Sequence, residues 1–177
     1  MSFAALIVAM LIHRSRVFDL YTTSVNSRRA PFEYVSHRGS CAAILLDPND
    51  TIGLIAHDRP AIGKTLFELP AGTLDYEAPL ETIMVNELKQ ETGLIVRQDQ
   101  LQRLSSFYTS PGYTSELLTL FLVHVTKEQR KQSDALRWFA IPELFELIRK
   151  GDISDMKTAV AITSFQTVFW QADEATA

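Results

Sequence analysis

Cysteine is nearly absent from this chain: Cys41 stands alone among 177 residues, which excludes an internal disulfide and any cluster of thiolate ligands. It sits in the apolar run CAAILL, the setting of a buried structural thiol rather than of a nucleophile. The histidines at 13, 37, 57 and 124 are scattered, so zinc spacing is missing as well. A basic surplus is also lacking. The net charge of −4 argues against coating nucleic acid, though such a chain can still hold a polyphosphate through a cation and local arginines. Long apolar runs are absent too: Phe3 to Ile12 is an unbroken stretch of ten, too short to span a bilayer. The basic residues Arg14 and Arg16 follow that stretch, whereas in a signal peptide they precede it. A buried strand or helix, a contact between two copies, and a start codon placed too early are the readings open for it. Neither a nucleic-acid nor a membrane partner is expected, and the lone thiol is compatible with a reducing cytoplasm.

What is present reads as an ordinary globular protein, 46% hydrophobic and 21% charged. No repeat, low-complexity tract or linker divides it, so residues 17–177 are expected to form a single domain behind an apolar segment at 1–16. Val17 to Val25 and Phe32 to Ser36 read as strands around a turn at Arg28, Arg29 and Pro31. Cys41 to Leu46 is a buried strand, turned by Asp47, Pro48, Asn49 and Asp50 into its partner Thr51 to His57. Arg59, Pro60 and Gly63 make a loop, and Phe67 to Leu69 leads onward. Further strands are expected at Leu94 to Val96, Leu101 to Tyr108, Leu117 to Val125 and Leu136 to Ile141, with Lys127 to Ser133 a polar loop. Pro142 opens a helix that Gly151 stops, and a last helix covers about Asp155 to Gln171. This irregular mixture means α+β or an α/β/α sandwich.

The most informative stretch runs from Leu69 to Leu94, LPAGTLDYEAPLETIMVNELKQETGL. Pro70 and Gly72 punctuate a loop, Pro79 suits the first turn of a helix, and Gly93 stops it. Leu80, Ile83, Met84 and Leu88 form one apolar stripe, while Glu87 and Glu91, four apart, project together from another side. A loop offering backbone carbonyls beside stacked carboxylates presents hard oxygen donors of the kind that suit Mg²⁺.

This segment resembles the box of the Nudix family, Gly-x5-Glu-x7-Arg-Glu-U-x-Glu-Glu-x-Gly-U with U a bulky aliphatic. The match keeps Gly72, Glu87, Leu88, Glu91, Gly93 and Leu94. Ala78 stands where the first glutamate belongs, Asn86 replaces the arginine, and Gln90 replaces a glutamate. The resemblance implies a Nudix-like α/β/α sandwich with a mixed central sheet behind N-terminal strands. It also implies a divalent cation, Mg²⁺ or Mn²⁺, held by Glu87, Glu91 and the Ala71 carbonyl.

Flanking pieces resemble the ADP-ribose pyrophosphatase branch: Arg59 before ELPAG (Glu68 to Gly72), the phrase SPGYTSE (Ser110 to Glu116), and IRKGDISDMKTAVAI near the end. On that resemblance Glu87 and Glu91 are the catalytic candidates. Arg59, Glu68, Pro111, Gly112 and Glu116 are candidate substrate contacts, Phe18 is a candidate to stack on adenine if it is not in the core, and a homodimer is implied. The expected reaction is hydrolysis of ADP-ribose, or another nucleoside diphosphate sugar, to AMP and a sugar phosphate. The alternative is a nucleotide-binding module that does not cut. Branch members often carry a catalytic glutamate in an acidic loop before the last strand; here that loop reads KEQRKQSDA, with only Glu128 and Asp134 acidic.

Overall fold

A computed structural model describes residues 9–24 and 30–165. Within them β1 (Ala9–Arg14), β2 (Phe18–Thr23) and β3 (Phe32–His37) form a small antiparallel sheet. A second sheet holds β4 (Ser40–Leu46), β5 (Thr51–Arg59), β6 (Lys64–Glu68), β7 (Ala71–Thr73), β8 (Gln102–Tyr108), β9 (Leu117–His124) and β10 (Leu136–Ala140). Its order is β10-β5-β4-β9-β8, with β6 on β5 and β7 on β4. Only the β4–β9 pairing is parallel, so the sheet is mixed, as expected. The described α-helices are α1 (Leu80–Thr92), α2 (Lys127–Gln132), α3 (Ile141–Lys150) and α4 (Met156–Phe165), and one 3₁₀ turn covers Gln98–Gln100.

Every residue of β4 is buried, and strand alternation splits its side chains between two layers. Cys41, Ala43 and Leu45 pack with Ile83, Met84 and Leu88 of α1. Ala42, Ile44 and Leu46 pack with Leu144 of α3 and with Ala161, Ile162 and Phe165 of α4. Helices thus cover both faces, which is the sandwich the resemblance implied. Burial pushes the Cys41 thiol up to about 12, so it is an inert core residue. Each fully buried side chain of the α1 stripe contributes roughly 2 kcal/mol. Repulsion between carboxylates four apart costs only a few tenths, so α1 can carry Glu87 and Glu91 on its other side. Gly93, at φ 74°, ends the helix and returns its N–H to the Lys89 carbonyl.

β4 and β5 pair only at Leu45–Gly53 and Leu46–Ile52. Beyond that short zone the strands part, β5 taking β6 and β4 taking β7. The connection Leu69–Pro70 crosses this fork and sets β7 under α1.

Several expectations are corrected. Lys127 to Ser133 is not a plain loop: Thr126 and Gln129 form a reciprocal capping box that starts α2. Leu94 to Val96 pairs with no strand; Leu94 and Val96 plug the α1 layer while Ile95 faces solvent. β5 runs on to Arg59, the first residue of the expected loop, β6 begins at Lys64, three residues before the expected Phe67, and Ala71–Thr73 is a short strand. The described end of the Phe3 to Ile12 run is strand β1, and Met10, Leu11 and Ile12 on it are exposed rather than buried. Phe18 is also exposed. Val25, the Arg28–Arg29 turn and the last helix beyond Phe165 lie outside the described residues. No described helix is long and apolar enough to cross a membrane.

Candidate functional site

The Ala43 N–H donates to the Pro70 carbonyl at 3.0 Å and the Leu74 N–H to the Gly39 carbonyl at 3.1 Å. In an antiparallel ladder such residues alternate with ones whose backbone groups face away. Ala71 is one of these, so its N–H and carbonyl both turn from β4 toward α1 and the cleft. Its N–H donates to Glu91 Oε2 at 3.0 Å. Gly72 lets the other carboxylate in: a Cβ there would stand 2.1 Å from Cγ and 2.3 Å from Cδ of Glu87. Two carboxylates from successive turns of α1 therefore flank one short strand. Burial raises the pKa of both. At Glu91 the Ala71 N–H opposes the rise and the Glu87 charge adds to it, while at Glu87 the Asp75 charge adds.

A cationic wall stands across from them. Arg59, at the end of β5, donates from Nε and Nη2 to the two oxygens of Glu68 at 2.7 and 2.5 Å. Lys157 of α4 pairs with the same carboxylate, and with Asp155 at 3.0 Å. Glu68 is only 1% exposed while Arg59 keeps 40% of its side chain open. Glu68 therefore aims the two cations, and the group left to meet a ligand is Arg59. Asp155 accepts from the Thr158 N–H at 3.0 Å, and the Thr158 hydroxyl receives the Leu69 N–H at 2.9 Å, so α4 also pins the loop before β7.

Burial alone would raise the Glu68 carboxyl, but the hydrogen bonds and charges of Arg59 and Lys157 outweigh it and hold the pKa below its ordinary value. A carboxyl depressed on folding contributes stability above its unfolded pKa and loses it as pH falls through the folded one. Glu68→Gln is expected to cost about 3 kcal/mol near neutral pH, since it strands two partly buried cations. The deficit should shrink in acid, which urea melts at pH 7 and pH 3.5 would check. An equal deficit at both values would mean that the charge is irrelevant.

Glu116 approaches from a third direction. It accepts from the Ser40 hydroxyl at 2.7 Å and the Thr109 hydroxyl at 2.8 Å. The segment before it is a tight turn, with Tyr113 and Thr114 N–H groups on the Ser110 carbonyl, and it grips β3 through Val35. Pro111 and Gly112 belong to that turn. Pro111 lines a neighbouring groove of about 290 Å³ with Phe32, Tyr34, Tyr108 and Tyr113, and Gly112 lines neither that groove nor the cleft.

One cleft of about 510 Å³ thus gathers Arg59, Ala71, Gly72, Glu87 and Glu116. Glu91 and Glu68 stand directly behind Ala71 and Arg59. Lys157, Asp155, Asp75, Ser40 and His57 also line the cleft and were not singled out from the sequence. His57 Nδ1 lies 3.6 Å from Glu91, and burial, with the Arg59 charge, lowers its pKa, which favours the neutral ring. Glu128 and Asp134 are elsewhere. β9 enters at the cleft with Leu118 and leaves at the opposite end of the sheet, where α2 follows, so neither can reach the cleft as a base. Among the described residues no three His, Cys, Asp or Glu side chains form a ready metal cage. Glu87, Glu91 and the Ala71 carbonyl could hold a hard cation that takes its remaining oxygens from water and a ligand.

The family model described as the NUDIX domain matches residues 36–159. The chain is 28% identical over 165 residues to the ADP-ribose pyrophosphatase of Bacillus subtilis, covering 88% of each. It is 29% identical over 168 residues to the methanol dehydrogenase activator of Bacillus methanolicus, again covering 88% of each. Against the GDP-mannose pyrophosphatase of Escherichia coli the identity is 28% over 172 residues, with 85% of this chain and 88% of the other covered.

Proposed function

The chain belongs to the NUDIX domain family, and from that premise we propose that it hydrolyses the pyrophosphate of ADP-ribose, or of a related nucleoside diphosphate sugar, to AMP and a sugar phosphate. It is an enzyme of the Nudix pyrophosphatase type. The observation that carries the substrate class is the pairing of walls: Glu87 and Glu91 on one side of the cleft, Arg59 and Lys157 on the other. Carboxylates with raised pKa values, placed opposite a preset guanidinium, suit a diphosphate that arrives with a divalent cation. Mg²⁺, or Mn²⁺ in its place, would sit between Glu87, Glu91 and the Ala71 carbonyl, neutralising phosphate charge and making a water more acidic. Arg59 would fix the diphosphate, oriented by Glu68, and Glu116, held by the Ser40 and Thr109 hydroxyls, would meet the sugar. A homodimer fits the exposed apolar residues Met10, Leu11 and Ile12 of β1.

The test is release of AMP from ADP-ribose by the purified protein, with and without Mg²⁺, beside GDP-mannose. Metal-dependent release that is faster with ADP-ribose is expected; faster GDP-mannose cleavage would reassign the substrate. A second reading, a nucleotide-binding module without turnover, draws on one observation. Asn86, in the position of the family's arginine, is exposed and donates to the Tyr76 hydroxyl at 3.0 Å instead of buttressing a glutamate. Ala78→Glu, Asn86→Arg and Gln90→Glu together should raise the activity of a weak hydrolase roughly tenfold, the scale on which buttressing residues act. An inert triple variant that still binds ADP-ribose would support the module instead.

A further inference from the structure

The basic segment that stands in place of an acidic loop builds a groove of its own. It lies between α2, the β4–β5 turn and β10, encloses about 370 Å³, and is lined by Asn49, Lys127, Arg130, Lys131, Ser133 and Trp138 over Leu136. Ser40 at the start of β4 lines the catalytic cleft, whereas Asn49 follows the end of that strand. Seven strand residues at 3.3 Å each separate the two sites by roughly 20 Å.

Arg130 is fixed from two sides. Its Nη1 pairs with Asp47 and donates to the Thr51 hydroxyl at 3.2 Å, and its guanidinium carbon lies 4.9 Å from the centre of the Trp138 ring. Asp47 is fully buried and also accepts from the Asn49 and Thr51 N–H groups at 3.0 and 2.9 Å. That arrangement leaves Nε and Nη2 of Arg130 unclaimed among the described residues. Lys127 and Lys131 are one turn apart on the same side of α2, exposed, and without a carboxylate partner among the described residues. Asp47 balances only Arg130, so the groove keeps two positive charges in a chain whose net charge is −4. Ser133, 8% exposed, carries a buried hydroxyl with no hydrogen-bond partner, which is rare enough to ask for an occupant.

We propose that this groove is a second, non-catalytic binding site for a phosphorylated ring compound of mononucleotide size. Lys127 and Lys131 take the phosphate oxygens, rotation of the Ser133 side chain brings its hydroxyl, closed to solvent in the empty groove, onto them, and the planar ring rests on the Arg130 guanidinium backed by Trp138. The volume lies within the range of small-ligand sites.

The chain has two tryptophans, so a Trp170→Phe background leaves Trp138 as the sole indole reporter. Titration of that protein with AMP, without Mg²⁺, should give a saturable change in Trp138 emission. Lys127→Glu with Lys131→Glu should weaken it at least about tenfold, because two attractive contacts become repulsive. Ser133→Ala should weaken it several-fold, and inorganic phosphate should compete less well than AMP. Circular dichroism melts would confirm that both variants fold, and their hydrolysis of ADP-ribose should stay within about twofold of the parent, surface changes away from the cleft being near neutral. AMP affinity unchanged in the doubly charged-reversed variant would overturn the site. Phosphate binding as tightly as AMP would overturn the ring contact. An acidic peptide that binds more tightly than AMP would overturn the small-molecule assignment in favour of a protein partner.

Discussion

Glu91→Gln is expected to lower metal-dependent turnover of ADP-ribose at least about a hundredfold while leaving the fold intact. Glutamine keeps the size of the side chain and can still accept the Ala71 N–H that Glu91 receives at 3.0 Å, so β7 stays in place. What disappears is the charge. Loss of about 3 kcal/mol of transition-state charge stabilisation corresponds to more than two decades in rate. Stability should move the other way. Burial raises the folded pKa of Glu91, so its ionised form opposes folding, and that penalty grows as pH rises through the folded pKa. The neutral variant should therefore melt at the same temperature or slightly higher near pH 7 in the absence of metal. Steady-state rates and thermal melts of the two proteins decide the matter. Unchanged turnover would remove Glu91 from the metal site, and a collapsed melt would make it a structural residue.

The layers and the first half of this site were legible in the sequence for local reasons. CAAILL alternates between two apolar layers, and the stripe Ile83, Met84 and Leu88 has one helical period, so strand β4 and helix α1 are found from neighbours alone. Glu87 and Glu91 follow from the same period. The cationic wall does not. Lys157 reaches Glu68 across 89 residues and Glu116 reaches Ser40 across 76, and no local pattern says which loops meet. Glu68 was readable as a carboxylate before the loop, but only its burial between Arg59 and Lys157 gives it the role of aiming them. α2 was missed although its signal was present: the T-x-x-Q spacing of Thr126 and Gln129 is a capping box hidden in a polar run. Strand β7, three residues long, is too short for any period to register.

The departures from the family box also acquire a physical meaning. Ala78, in the place of the first glutamate, packs against the apolar layer beneath α1. A carboxylate there would have to leave that layer or find a cation. Gln90 is exposed. The carboxylates that remain, Glu87 and Glu91, are the two that the β7 backbone positions directly, so on the proposed reading a metal would be held at one strand and one close contact.

That contact is the most sensitive point of the site, and Gly72→Ala is expected to cost turnover as much as loss of Glu87 itself, roughly a hundredfold or more. Gly72 is not in the left-handed region, so alanine meets no backbone strain there. The nearest conflict is with Glu87: a Cβ would lie 2.1 Å from its Cγ, 2.3 Å from its Cδ and 2.7 Å from its Oε1. The side chain can rotate away into the open cleft, so stability should fall only by about 1–3 kcal/mol, the usual cost of one extra methyl in a packed place. Turnover should fall further because the carboxylate leaves β7. Residues acting through one contact are not additive. Gly72→Ala combined with Glu87→Gln should therefore be no slower than Glu87→Gln alone, and calorimetric Mg²⁺ affinity should drop alike in all three variants. Turnover retained in Gly72→Ala would show that Glu87 does its work from a different position than the one Gly72 permits.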